Sequence, residues 1–487
     1  MNSIALNIAL PLLTAFLLPI MSPHVSSFGR WIGPLVLAAM LLFSFQHFQA
    51  LDAPEMVALG GFLPPMGISF HIDHLALLML MAIPLLLLMM WPYGKTKSRE
   101  EALMLLLAAA ASGMALSGDL FNIYVFYELL SVASFGLAAA NRTAGAFAAS
   151  FRYVVISSLG TVLALTGIAL IYTQTGTLNL AHIGALANQL QNPVSYTAFT
   201  LIVIGVGVKA ELFPVNSWVP EVYATATARV TAIFAGLVSK LAVLVIVRML
   251  VVAYGGSDVM NILLVLGMLG ILTGELAAWR AQDLRRMFAF SSIGQLGMVL
   301  VAFSIPGKAG IIAGIAMMFH HLLVKPALFL FTDQWSGNLN RLSGIGKKSP
   351  MAVALFLLFA LSLIGIPPLP GFWAKLLLVT GLVGTASPLY LTALFVLLTA
   401  TVIETHYLMR VAKVMIAGEQ KSSPSRFLEL GILNITLISI FAAGLVLIVL
   451  NLTSVSDQLA LIADETSNRM LYIGTSYPEL TNTLGVK

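Results

Sequence analysis

Residues 228–253 read ARVTAIFAGLVSKLAVLVIVRMLVVA. As a helix this run is long enough to cross a hydrocarbon core of roughly 30 Å, yet it carries Lys240 well inside it. Comparable apolar runs recur along the chain at 3–22, 29–48, 73–91, 101–117, 120–140, 149–172, 195–214, 259–280, 285–304, 309–332, 350–378, 387–414 and 427–450. With 228–253 they predict about fourteen transmembrane helices and leave no room for a large soluble domain. Composition agrees: 59% of the residues are hydrophobic, 9% are charged and the mean hydropathy is +0.97. Soluble domains carry roughly 25% charge. The chain is read as an all-α polytopic membrane protein.

The basic residues report topology rather than an anionic partner. Arg30, Lys95, Lys97, Arg99, Arg142, Arg152, Arg229, Arg280, Arg285, Arg286, Arg341, Lys347, Lys348, Arg410, Lys413, Lys421 and Arg426 all fall in loops of one side. The other side has Arg248, Lys308, Arg469 and Lys487, and acidic Asp52, Glu55, Asp457, Asp464 and Glu465 collect there. The positive-inside rule then puts both termini outside an inner (cytoplasmic) membrane. Ile4–Met21 lacks a basic n-region and reads as the first span rather than a cleaved signal. With no cysteine, the chain supplies no disulfide, thiolate metal site or iron–sulfur ligand. The short loops offer little room for a membrane-embedded enzyme's catalytic carboxylates.

Four lysines remain, Lys209, Lys240, Lys325 and Lys375, each inside a predicted span. A lysine at the bilayer centre costs roughly 2.5–3.5 kcal/mol, so four of them point to a function. Snorkelling to the interface is the bland alternative for Lys325 and Lys375. Glu128, in FNIYVFYELLSVASF, sits mid-helix among apolar and aromatic residues. A Glu–Lys pair in a membrane is either a static tie or a proton device, since lysine keeps its proton beside a carboxylate and yields it beside another lysine. His320, His321 and Lys325 share MFHHLLVKPALFLF, with His321 and Lys325 four apart on one face. Histidine is the natural relay between lysines. His182, and His71 with Asp73 and His74, read as interfacial, and no metal site is expected there.

Two proline-rich breaks flank the lysines. Phe213-Pro214 through Pro220 follows Lys209, and Ile366-Pro367-Pro368-Leu369-Pro370-Gly371 precedes Lys375. Unwound backbone at that depth survives only when buried in protein or lining a wet cavity. The breaks also suggest repetition, pairing Lys209 with Lys375 and Lys240 with Glu404 in the following helices. A second match, RYVVISSLG at 152–160 and RMFAFSSIG at 286–294, needs another register and is read as local packing similarity.

FYELLSVASF around Glu128, GVGVKAELFPVNSWVPEVY around Lys209, FAGLVSKLAVLVIVR around Lys240, DLRRMFAFSSIGQLGMVL from Asp283, HHLLVKPALFLF around His321 and IGIPPLPGFWAKLLL around Lys375 occur in that order. Together they make the chain resemble the antiporter-like membrane subunits shared by complex I, membrane-bound hydrogenases and Mrp Na+/H+ antiporters. With the lysine at 375 and TGTLNLAHIGAL, it looks most like the Mrp D subunit. The resemblance implies two inverted five-helix repeats with two broken helices. It divides the chain into 1–100 (N-terminal helices), 101–253 (first antiporter half), 254–414 (second half) and 415–487 (last helix and tail). It implies proton transfer through Glu128 paired with Lys209, then Lys240, His321 and Lys375. His320, Lys325, Glu211, Glu404 and Gln295 are read from the sequence as accessory groups, Glu211 being an acid added two residues after Lys209 that departs from the family's pattern. The resemblance implies no cofactor or redox chemistry on this chain, partner membrane subunits in one complex, and H+ or Na+ as the ion. The rival reading is a stand-alone secondary transporter of a small organic substrate.

Overall fold

The computed structural model describes residues 3–21, 29–62, 64–65, 67–93, 98–255, 257–417 and 430–477. Lys95, Lys97, Lys421, Arg426 and Lys487, used above for topology, lie outside them. The chain forms two compact units: Met1–Ala210 with Leu237–Val259 and Leu461–Lys487, and Glu211–Gly236 with Met260–Ala460. Neither coincides with a segment boundary expected from sequence. The helix over Ala228–Tyr254 contributes to both.

The first unit contains α1 (Ser3–Met21), α2 (Gly29–Ala50), the hairpin β1 (Glu55–Ala58) and β2 (Ser69–Ile72), α3 (His74–Met90), α4 (Ser98–Leu116), α5 (Leu120–Ala138), α6 (Ala144–Thr175), α7 (Leu180–Ala185) and α8 (Pro193–Gly207). Asp119, Thr143, Asn179 and Asn192 each precede a helix and accept a bond from the first-turn N–H of Asn122, Ala146, His182 and Ser195, satisfying donors that a helix start otherwise leaves open. α6 packs on α8 through Gly160, Gly167 and Gly205, where added side chains would strike the facing backbone. Small residues of this kind let membrane helices approach closely.

The second unit contains α9 (Val219–Thr225), α10 (Ala228–Ile233), α12 (Ser257–Arg280, from Met260 on), α13 (Leu284–Phe303), α14 (Lys308–Phe331), α15 (Pro350–Ile364), α16 (Pro370–Gly384), α17 (Pro388–Ala417), α18 (Ile432–Leu450) and most of α19 (Leu452–Ser467). α11 (Ser239–Arg248) and α20 (Arg469–Ser476) belong to the first unit. Between Ala228 and Tyr254 the helix widens twice into π turns, at Phe234–Val238 and Met249–Tyr254, and it is buried almost throughout.

One local arrangement occurs in both units. Asp119 bridges Asn179 before α5, with Leu120 N–H donating to Leu178 O at 2.8 Å and Leu180 N–H to Gly118 O at 2.9 Å. Asp283 bridges Asn338 before α13, with Leu284 N–H donating to Gly337 O at 3.4 Å and Leu339 N–H to Gln282 O at 2.9 Å. Both place an Asp-Leu pair against an Asn-Leu pair, the aspartate being the helix cap in each.

Among the described residues, ten helices are long and apolar enough to cross a membrane, and α3, α8 and α16 are shorter apolar helices. Strongly exposed Phe395, Val402, Ile432 and Leu450 on α17 and α18 are the apolar side chains a lipid phase would cover. The protein is a multi-pass membrane protein.

Candidate functional site

In the first unit α8 stops at Gly207, and Lys209 follows in a run of turns instead of lying inside a helix. The lysine is 1% exposed, and its ammonium donates to Ser157 Oγ on α6 at 2.9 Å. It also faces the rings of Tyr153, Phe135 and Tyr127 at 4.2, 4.8 and 5.7 Å, where cation–π attraction offsets part of its lost hydration. Glu128 on α5 is half-buried and accepts from Thr161 at 2.5 Å. It acts on Lys209 electrostatically, but among the described residues no direct ion-pair contact joins them. The expected pair is therefore a separated one. Lys240 is fully buried just beyond the first π turn, where its ammonium donates to Ser239 Oγ at 3.2 Å.

The second unit holds a denser set. Lys375, on the first turns of α16, donates to Glu404 Oε2 on α17 at 2.6 Å and to the Ile364 carbonyl at the end of α15 at 3.1 Å. Gln295 on α13 donates to the other Glu404 oxygen at 2.6 Å. Lys325 donates to Ser291 at 2.7 Å, and Tyr407 gives its hydroxyl proton to the same serine at 2.8 Å. His320 Nε2 meets Ser362 at 3.0 Å, whereas His321 Nε2 is 3.5 Å from Ser292. Neither lysine snorkels: Lys325 is 0% and Lys375 8% exposed. Glu211, buried and in a left-handed conformation (φ 58°), accepts from Tyr223 at 2.5 Å and acts electrostatically on Lys325. Its structural association is with this second set.

Sequence reasoning missed the residues that position these amines. Ser157 and Ser291 are the first serines of the two RxxxxSSxG stretches, and each holds a buried lysine. The match read as packing similarity thus does the same chemical job in both units. Glu275 on α12 was missed altogether: it is 1% exposed, and neither carboxylate oxygen has a hydrogen-bond partner among the described residues.

A group expected at the interface is instead enclosed. Asp73, His71, His74 and Arg248 are all under 9% exposed, because the hairpin and the C-terminal helices fold over them. Arg248 donates to Asp73 at 3.0 Å, His74 meets Glu465 at 2.8 Å and His71 stacks on Tyr472 at 3.8 Å. Arg248 is thus a buried ion-pair partner and not a loop charge that reports topology. Burial pushes the His71 imidazole down to about 3, with Asp73 opposing and Arg248 adding to it. Among the described residues no cluster suits a metal ion.

The family model described as NADH:quinone oxidoreductase/Mrp antiporter, transmembrane, matches residues 117–403. The chain is 34% identical to the N subunit of the NADH-quinone oxidoreductase of Desulforudis audaxviator over 425 residues, covering 82% of this chain and 85% of that one. It is 30% identical to the D subunit of the Na+/H+ antiporter of Alkalihalophilus pseudofirmus over 397 residues, covering 78% and 80%. A solved structure of the membrane-bound sulfane sulfur reductase, an archaeal respiratory membrane complex, contains a chain that superposes with a TM-score of 0.90 at 29% identity, covering 98% of this chain and 100% of that one.

Proposed function

The chain belongs to the NADH:quinone oxidoreductase/Mrp antiporter membrane family, and from that premise we propose that it moves protons across the membrane as one subunit of a larger complex. It is an antiporter-like membrane subunit. The observation that carries the proton reading is the 2.6 Å Lys375–Glu404 pair at the α15–α16 break, where a buried ammonium, a carboxylate and an open helix end meet. Glu128, Lys209 and Lys240 are the proposed proton-handling groups of the first unit. His321, Lys325 and Lys375, with His320, Glu211, Glu404 and Gln295, are those of the second. Lysines held by neutral hydroxyls support transfer over static pairing, because a serine leaves the amine free to be charged or neutral.

Fourteen crossings follow if α8 with α9, and α15 with α16, each count as one broken span alongside α3, α4 and the other long helices. The repeated Asp-Leu/Asn-Leu bridge supports aligning α5 with α13 and α6 with α14, and so Lys209 with Lys375 and Lys240 with Glu404 in inverted repeats. Both termini outside the inner membrane, and other membrane subunits as partners, belong to the same proposal. Lysine at 375 favours the D type over the N type. A stand-alone transporter of organic substrates is disfavoured by the family membership.

The test is Lys240→Ala in inverted vesicles. Ion transport is expected to vanish while the complex still assembles, and normal transport by the variant would sink the lysine reading.

A further inference from the structure

We infer that Glu275 is a second proton-carrying carboxyl of the second unit, exchanging its proton with Lys325. The inference deepens the proton-translocating reading and rests on it. Glu275 is buried in the last two turns of α12, opposite Gly294 of the second SSxG stretch, and a Cβ at 294 would run into its carboxylate. The glycine is what makes room for the acid. The charged groups that act on Glu275 are Glu404 on α17, Lys325 on α14 and Lys375 on α16, and the Tyr407 hydroxyl lies beside it.

Hydrogen bonding separates the two carboxylates. Glu404 is satisfied on both oxygens, by Lys375 and by Gln295. Among the described residues neither Glu275 oxygen is held at hydrogen-bonding distance, the adjacent Tyr407 hydroxyl donating to Ser291 instead, and Lys325 has the neutral Ser291 as its hydrogen-bond partner. An ionised carboxylate without donors is the most costly state to bury, and a neutral acid is far less so. The set can therefore rest as Glu275 acid with Lys325 amine, or as Glu275 carboxylate with Lys325 ammonium. Passing between them breaks the Glu275 O–H bond and forms a Lys325 N–H bond, and the total charge does not change. A sodium ion fits the same place poorly, since two lysines beside two glutamates leave no net negative charge to hold it.

The experiment uses the intact complex in inverted vesicles, with Glu275→Gln, Glu275→Asp and Lys240→Ala compared. Glu275→Gln should reduce proton transport by about tenfold or more, Glu275→Asp should recover part of it, and both should assemble. Infrared difference spectra between acid and alkaline buffer should show a protonated-carboxyl carbonyl band in the native complex that Glu275→Gln removes. A glutamate that only fills space predicts full transport in Glu275→Gln, and that result overturns the inference. So does a native spectrum with no such band, a reading available even if Glu275→Gln fails to assemble. Loss of transport in Lys240→Ala alongside full transport in Glu275→Gln would leave the broader reading standing and remove this one. Full transport in Lys240→Ala would remove the broader reading.

Discussion

Lys375 shows how much one side chain ties together: its ammonium joins α16, where it resides, to a carboxylate on α17 and a carbonyl of α15. Removing one member of such a buried pair leaves the other unpaired, at a cost of about 3–5 kcal/mol, whereas removing both costs much less. Lys375→Met should accordingly lower the thermal midpoint of the purified complex more than the double variant Lys375→Met/Glu404→Gln does. A midpoint for the double variant below that of the single would contradict the pairing. His71, on the hairpin outside the spans, gives a pH test. Its folded value of about 3 lies below the ordinary histidine value, so its contribution to stability is complete above about pH 6.5. That contribution falls as the pH drops towards 3, with about 2 kcal/mol lost at pH 5. His71→Phe keeps the ring on Tyr472 and should flatten the acid limb of a stability-against-pH curve. At this scale the four lysines were legible because burying a bare charge is costly enough to demand explanation. Ser157 and Ser291 were not, since a serine crosses a membrane helix cheaply. Glu275 reads in sequence as an acid near the end of a span, five residues before Arg280, and only the packing against Gly294 reveals its burial.

Among the elements, the two breaks were the most readable, because proline removes a backbone donor and restricts the residue before it. Their detail was less so. Lys209 sits within its break, whereas Lys375 sits beyond its own, on the helix that restarts. Gly365 ends α15 at φ +93°, and a side chain there would also press on the Lys375 stem, with its Cβ 3.1 Å from Cδ. Gly365→Ala is expected to cost more than about 1 kcal/mol and to depress transport more than assembly, measured as vesicle activity per assembled complex. Equal loss of both would mean that the break only holds the fold. The π turn before Lys240 left no trace in the sequence. An i→i+5 turn needs no special residue, only neighbours that hold the extra one in place.

For the whole molecule, composition and the recurring apolar runs made a multi-pass membrane protein legible, whereas Arg248, read from sequence as a loop charge, is a buried ion-pair partner. A native chain without cysteine offers a clean background for testing topology. Single cysteines at 142, 283 or 343 should react with an impermeant maleimide only from the cytoplasmic face, and those at 189 or 457 only from the opposite face. Labelling of both groups from one face would reject the proposed orientation. The two-unit division was not legible, since it cuts through the helix over Ala228–Tyr254, and hydropathy carries no information about which residues of a continuous helix pack where. The Asp-Leu/Asn-Leu bridges carry a last consequence. Each staples the start of one long helix to the chain leaving the next. Such a staple fixes one end of each long helix by backbone bonds alone, so that the register of the helix start does not depend on which side chains it carries.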